Sequence, residues 1–225
     1  MKPIDSALFH RVLMPEQSAA SRHPTLIMLH GRGADEEDLL GLSSYLDGRL
    51  LIISARAPFP FPYGGGFTWY DMQEIGAPDE QMFNESYAKL SNFVTDIMKN
   101  YPIDASQLFL LGFSMGTVMS YALSLTMPER FAGVIANSGY VPEGTHLAFR
   151  WKELLRADFF IAHGIQDPVI PVSFGRKAKE LLESAGAQLT YREYPMGHQI
   201  NETSLNDMAS WLTQRLDSHL NSASA

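Results

Sequence analysis

The 225-residue sequence contains no cysteine. A disulfide framework and a thiolate metal site are thereby excluded, and any covalent nucleophile must be something other than a thiol. Clusters of Lys or Arg are also missing, and 17 basic against 25 acidic side chains leave a formal charge of -8. That balance speaks against nucleic acid as a partner. No apolar run approaches membrane-spanning length, and Met1 to Pro24 lacks the continuous apolar core and small-residue cleavage site of a secretory leader. Stable membrane insertion is not expected, and the cytoplasm is the simplest location. Internal repeats, low-complexity tracts and a linker that would split the chain are absent too. Residues 1–225 therefore read as one domain, long enough to bury a substantial core.

What is present is an alternation of short apolar runs with helical patterns. Before Pro24 the chain is mixed and polar, compatible with an edge strand or hairpin plus loop. Thr25 to Leu29 is bounded by Pro24 and Gly31, as expected of a strand buried on both faces. Asp35 to Asp38 sits where a helix should begin, with Leu39, Leu40, Leu42 and Leu46 as its apolar face, so these carboxylates read as capping and dipole partners. Further strands are expected at Leu50–Ile53, Leu108–Leu111, Phe131–Ala136, Phe159–Ala162 and Leu189–Tyr194. Helices are expected at Asn84–Met98, Thr117–Thr126, Val172–Ala185 and Leu205–Leu220, with a frayed tail from Asn221. Such alternation argues for a mostly parallel central sheet with helices on both faces.

Between one of these strands and the following helix lies Gly112-Phe113-Ser114-Met115-Gly116. A GxSxG at a strand-to-helix turn reads as a nucleophile elbow, with Ser114 held at the carboxyl edge of the sheet; the structural alternative is a serine that only caps the helix. A serine hydroxyl needs a base, and the base an orienting carboxylate, in the chain order Ser, acid, His. His146, His163, His198 and His219 follow Ser114. His146 lies in an irregular stretch, His219 in the last turns of the terminal helix, and His163 reads as a packed strand-end histidine. His198 follows the last strand, where a base can reach over the sheet edge. Among the acids, Asp158 begins a strand and so lies at the wrong end, Glu180 and Glu183 are helical, and Glu193 is inside a strand. Asp167 alone occupies a loop at the edge that bears Ser114. Ser114, Asp167 and His198 are thus the expected catalytic set.

An oxyanion hole needs two backbone donors. The residue after the nucleophile, Met115, supplies one, and His30-Gly31-Arg32-Gly33 after the first buried strand supplies the other, assigned to the Arg32 amide. The aromatic loop Pro58 to Phe67, with Trp69, is excluded from regular structure by its prolines and glycines and is a candidate pocket wall or dimer surface. Tyr140 to Ala157 is too short for a large cap domain, so the site should be open. Its expected walls include Phe59, Phe61 and Met115, with Phe67, Trp69, Ile165 and Met196 as the substrate-contacting residues. Neither a metal nor an organic cofactor is implied.

Leu29-His30-Gly31, the GFSMG elbow, His163-Gly164-Ile165-Gln166-Asp167-Pro168-Val169-Ile170-Pro171 and Gly197-His198 together resemble the phospholipase/carboxylesterase family of α/β-hydrolases, which includes acyl-protein thioesterases and lysophospholipases. Trp69-Tyr70-Asp71 is similar to that family's tryptophan-containing segment. The resemblance implies an α/β-hydrolase fold and hydrolysis of small-molecule carboxylic esters or thioesters through an acyl-enzyme on Ser114. Arg32 departs from the acyl-protein thioesterases, which carry an apolar residue there, and makes the loop more similar to bacterial carboxylesterase-like members. It would either meet an acidic substrate or form a surface ion pair with Asp35 or Glu36. A serine peptidase of the same fold and a non-catalytic binding module are the rival readings.

Overall fold

Every position from Leu26 to Leu29 is apolar because both faces of the strand they form are covered. The structure, a computed structural model, describes residues 3–16 and 21–223, with the backbone alone for Arg156 and residues 219–223. In chain order it contains β1 (His10–Leu13), β2 (His23–Leu29), β3 (Leu51–Ala55), the short strands β4 (Phe59–Pro60), β5 (Phe67–Thr68), β6 (Met72–Glu74) and β7 (Ala77–Pro78), helix α1 (Glu80–Asn100), β8 (Ile103–Phe113), α2 (Met115–Thr126), β9 (Gly133–Asn137), β10 (Asp158–Gly164), α3 (Val172–Ser184), β11 (Gln188–Tyr194) and α4 (Glu202–Ala223). The main sheet runs β1-β3-β2-β8-β9-β10-β11. All of its pairings are parallel except β1 with β3, which is antiparallel at the edge.

Alternation along the strands sorts side chains between two apolar clusters. Ile27 and Leu29 of β2, Leu108 and Leu110 of β8, and Phe159 and Ile161 of β10 face the side packed by α1, α2 and α3. Leu26, Met28, Phe109, Leu111 and Phe160 face the other, covered by α4 through Met208, Trp211 and Leu212. The parallel strands read as uninterrupted apolar runs because neither face meets water.

Three elements differ from expectation. The segment after Asp35 forms a 3-10 helix at Leu39–Tyr45, and Asp38 at its start makes no side-chain cap. Glu36 is drawn instead into the interior, 1% exposed, by the Arg56 guanidinium at 2.5 and 2.6 Å. Burial raises the Glu36 carboxyl, but the Arg56 hydrogen bonds, a backbone hydrogen bond and the charges of Arg56 and Arg11 together outweigh it and hold the group below the ordinary carboxylate range. The aromatic loop is partly ordered, as the small antiparallel ribbon of β4 with β5, and a second ribbon, β6 with β7, follows it. The expected fraying from Asn221 is replaced by helix as far as Ala223, while Ser224 and Ala225 lie outside the described residues, as does the side chain of His219. Between β9 and β10 only the 3-10 helix Trp151–Arg156 intervenes. Among the described residues no helix is long and apolar enough to cross a membrane.

Candidate active site

The turn from β8 into α2 places Ser114 at φ 55 and ψ -117. A non-glycine residue holds that conformation only where its surroundings enforce it. The enforcement comes from close packing: a Cβ at Gly112 would stand 2.5 Å from Thr117 Cα, and one at Gly116 would stand 1.9 Å from the Leu29 carbonyl oxygen. The turn is also tied to the end of β9, since the Ser114 amide and the Thr117 hydroxyl both donate to the Asn137 carbonyl, at 2.9 and 2.7 Å. The Ser114 side chain makes no capping hydrogen bond to α2. Its hydroxyl is left for other work.

The ends of β10 and β11 carry the other two residues. A Cβ at Gly164 would lie 2.3 Å from the Met196 carbonyl oxygen, so glycine there lets the two loops touch. Ile165 and Gln166 amides donate across to Tyr194 and Met196 carbonyls at 2.9 and 3.1 Å. Asp167 Oδ1 accepts from the amides of Val169 and Ile170 at 2.9 and 2.8 Å, which turns Oδ2 toward His198 Nδ1 at 2.8 Å. A carboxylate accepts, so Nδ1 bears the proton and Nε2 presents its lone pair. Burial raises the Asp167 carboxyl, but the hydrogen bonds from His198, Ile170 and Val169 more than offset it and hold the group below its ordinary range. His163 is fully buried as a strand-end histidine, with Nε2 donating to the Ile170 carbonyl at 2.8 Å and standing 3.6 Å from Asp167 Oδ2. Burial lowers its pKa and keeps the ring neutral beside the acid.

Ser114 and His198 face a common cavity of about 410 Å³. Among the described residues no hydrogen bond joins the Ser114 hydroxyl to the His198 ring; such contacts commonly tighten only when substrate is bound.

The His30–Ala34 loop borders the same cavity and is braced from all sides. His30 Nδ1 donates to the Gly31 carbonyl at 2.7 Å, and Nε2 accepts the Ala57 amide at 3.0 Å. Trp69 Nε1 donates to the His30 carbonyl at 2.9 Å, Gly33 donates to the Phe67 carbonyl at 2.8 Å, and the Phe67 amide returns a bond to Ala34 at 2.7 Å. Gly31 lies so close to the elbow that a Cβ there would be 3.5 Å from Ser114 Cβ. The amides of Arg32 and Met115, on either side of that approach, donate to no neighbour among the described residues.

The four expected substrate contacts are not brought to the cavity. Trp69 is fully buried against the His30–Ala34 loop, Phe67 lies under the Arg56 guanidinium at 4.4 Å, Met196 is buried under α4, and Ile165 is exposed. The lining is instead supplied by Arg32, Tyr70, Met72, Tyr140, Val169 and Ile170, together with the expected Met115. Tyr140 had a readable signal, since it follows β9 at the edge that carries Ser114; Tyr70 had none beyond its place next to Trp69. Arg32 pairs with neither Asp35 nor Glu36 but with Asp71, at 3.0 Å, and lies 4.9 Å from the centre of the Phe61 ring. A larger groove of about 590 Å³ runs along β6 and β7, but among its described lining residues, which include Asp71, Glu74 and Asp79, there is neither a serine nor a histidine.

The phospholipase/carboxylesterase family model matches residues 12–216. Acyl-protein thioesterase 1 of Candida albicans is 25% identical over 215 residues, covering 87% of this chain and 93% of the relative. Lysophospholipase-like protein 1 of Mus musculus is 26% identical over 215 residues, covering 88% and 90%. A Bacillus cereus carboxylesterase structure superposes with a TM-score of 0.79 at 24% identity, over 92% of this chain and 94% of that one. A carboxylesterase from Mesorhizobium loti gives 0.81 at 22% identity, over 93% and 96%. These likenesses establish the α/β-hydrolase fold.

Proposed function

The chain belongs to the phospholipase/carboxylesterase family, and from that premise we propose that it hydrolyses small-molecule carboxylic esters or thioesters by acyl transfer through Ser114. The observation that carries the reading is the Asp167–His198 hydrogen bond, 2.8 Å long, because it fixes the tautomer whose free Nε2 faces the cavity of Ser114. In the first step His198 Nε2 takes the Ser114 proton as Oγ bonds to the substrate carbonyl carbon. The carbonyl oxygen becomes an oxyanion that accepts from the amides of Arg32 and Met115. Collapse breaks the bond to the leaving oxygen or sulfur, which receives the proton from Nε2. A water then repeats the sequence on the acyl-enzyme and returns Ser114 to its starting state. Asp167 holds the imidazole and stabilises the imidazolium.

The whole chain acts in this reading as one α/β-hydrolase domain, supported by a single sheet that takes strands from His10 to Tyr194. A cytoplasmic location accords with the formal charge of -8, which favours solubility. The surface a second copy would cover is the glycine-rich loop, where Tyr63 is 75% exposed, and sedimentation velocity tests it.

Steady-state hydrolysis of p-nitrophenyl esters from acetate to palmitate tests the activity. Turnover by the parent enzyme is expected to be abolished in Ser114→Ala and to fall about ten-thousandfold in Asp167→Asn, through loss of the tautomer. Turnover that survives Ser114→Ala would exclude the assigned nucleophile.

A further inference from the structure

We propose that Arg32, Tyr70 and Tyr140 form an acyl-end recognition site that selects substrates whose acyl group ends in a carboxylate. This rests on the acyl-transfer reading of Ser114. Arg32 lines the cavity and its guanidinium is only partly engaged: it lies 4.9 Å from the centre of the Phe61 ring, and of its five N–H donors the one with a hydrogen bond among the described residues goes to Asp71 Oδ1, at 3.0 Å. Both partners of that pair are exposed, 33% for Arg32 and 61% for Asp71. A solvent-exposed pair exchanges readily for another carboxylate, and the planar fork left over suits a bidentate one.

The tyrosines supply a second, independent observation. Tyr70 is fully buried and Tyr140 is 4% exposed, both line the cavity, and their hydroxyls lie 3.2 Å apart. Two phenols carry two O–H donors and share this one hydrogen bond. Whichever donates, the other's proton has no acceptor among the described residues. Buried donors are nearly always satisfied, and a bound acceptor in the cavity is the group that would satisfy this one. Among the described residues Asp38 is the only carboxylate in the lining, against the cation of Arg32.

Topology assigns the anion to the acyl side. The leaving group must lie within reach of His198 to receive its proton, and His198 follows β11, on the β9-β10-β11 side of Ser114. Arg32 follows β2, on the opposite side of β8. A group held by Arg32 therefore belongs to the part of the substrate that remains on Ser114. Met72 and Met115 offer apolar contacts to the methylenes between the two ends.

The test compares kcat/KM for monomethyl glutarate and monomethyl adipate with that for methyl valerate and methyl hexanoate, followed by acid release. Reading the anionic-to-neutral ratio within each protein cancels any general loss through the Arg32 amide. The parent should favour the hemiesters by about tenfold or more, the effect of a charge-assisted hydrogen bond. The ratio should fall toward unity in Arg32→Gln, survive in part in Arg32→Lys, and drop to an intermediate value in Tyr140→Phe. In the parent itself it should shrink as ionic strength rises. A parent ratio at or below unity, or one unchanged by Arg32→Gln, overturns the inference while Ser114-dependent turnover of the neutral esters leaves the hydrolase reading standing. No turnover of either class, with Ser114 inert to a fluorophosphonate, removes both.

Discussion

Ser114 carries a backbone conformation that serves reactivity at the expense of stability. Its φ of 55 and ψ of -117 lie in a region that costs a non-glycine residue roughly 1–3 kcal/mol. Ser114→Gly should therefore melt a few degrees higher than Ser114→Ala, about 2–4 °C per kcal/mol for a chain of this size, and neither variant should turn over ester. Calorimetry of the two side by side checks this; equal melting temperatures would mean that the elbow is unstrained. At this scale the meeting of Ser114, Asp167 and His198 at one sheet edge was legible in the sequence because chain order and strand ends locate them without any knowledge of side-chain direction. Phe67, Trp69, Ile165 and Met196 were not, because the direction a side chain takes in a loop without periodicity is decided by what it packs against. Trp69 turns inward to donate to the His30 carbonyl at 2.9 Å, and its neighbour Tyr70 reaches the cavity in its place.

At the scale of elements, close approaches between loops hold the site together, and glycines permit them. Gly164 is the point where the Asp167 loop meets the His198 loop, with 2.3 Å between a hypothetical Cβ and the Met196 carbonyl oxygen. Gly164→Ala must force the loops apart and lengthen the 2.8 Å Asp167–His198 hydrogen bond. The expected result is a loss of kcat of about 10²-fold, the order produced by a misplacement near 1 Å, with a lower melting temperature. Gly41→Ala, where a Cβ meets nothing within 4 Å, serves as control and should leave kcat unchanged. Element existence was legible from apolar runs, whereas the expected helix after Asp35 was misjudged. Its carboxylates suggested caps, but the demand of Arg56 for a partner took Glu36 out of that role. The stretch before Pro24 was readable as an edge strand or a hairpin plus loop, but the bounds of β1 were not, because four residues of mixed polarity, HRVL, pair antiparallel with β3 and leave no apolar run.

For the whole molecule, the buried histidines set the response to acid. Burial lowers the pKa of His10, His30 and His163 from the ordinary 6.5. Their folded forms bind protons less readily than the unfolded chain, so below pH 6.5 unfolding takes up protons and stability falls. The carboxylates act at lower pH: Asp167 and Glu36 are held down in the fold, and Glu193, hydrogen-bonded by Arg176, is pulled to about 2. Stability from these groups is present above the unfolded carboxylate range and is lost as pH falls toward 2. The melting temperature should thus be level from pH 9 to 7, decline from 6.5, and drop again below about 4. A level profile from pH 7 to 5 would contradict the neutral, buried assignment of the histidines. The parallel architecture was legible because uninterrupted apolar strands alternating with amphipathic helices admit few other arrangements. The cavity was not, because its walls come from loops brought together only once the open sheet is assembled.

The central claim is that catalysis passes through an acyl group on Ser114, and acid-quenched peptide mass spectrometry after mixing with p-nitrophenyl acetate tests it most directly. The account predicts one acetyl group on the peptide bearing Ser114 in the parent and none in Ser114→Ala. An unacetylated Ser114 in an enzyme that is turning over, or equal turnover by Ser114→Ala, would contradict it.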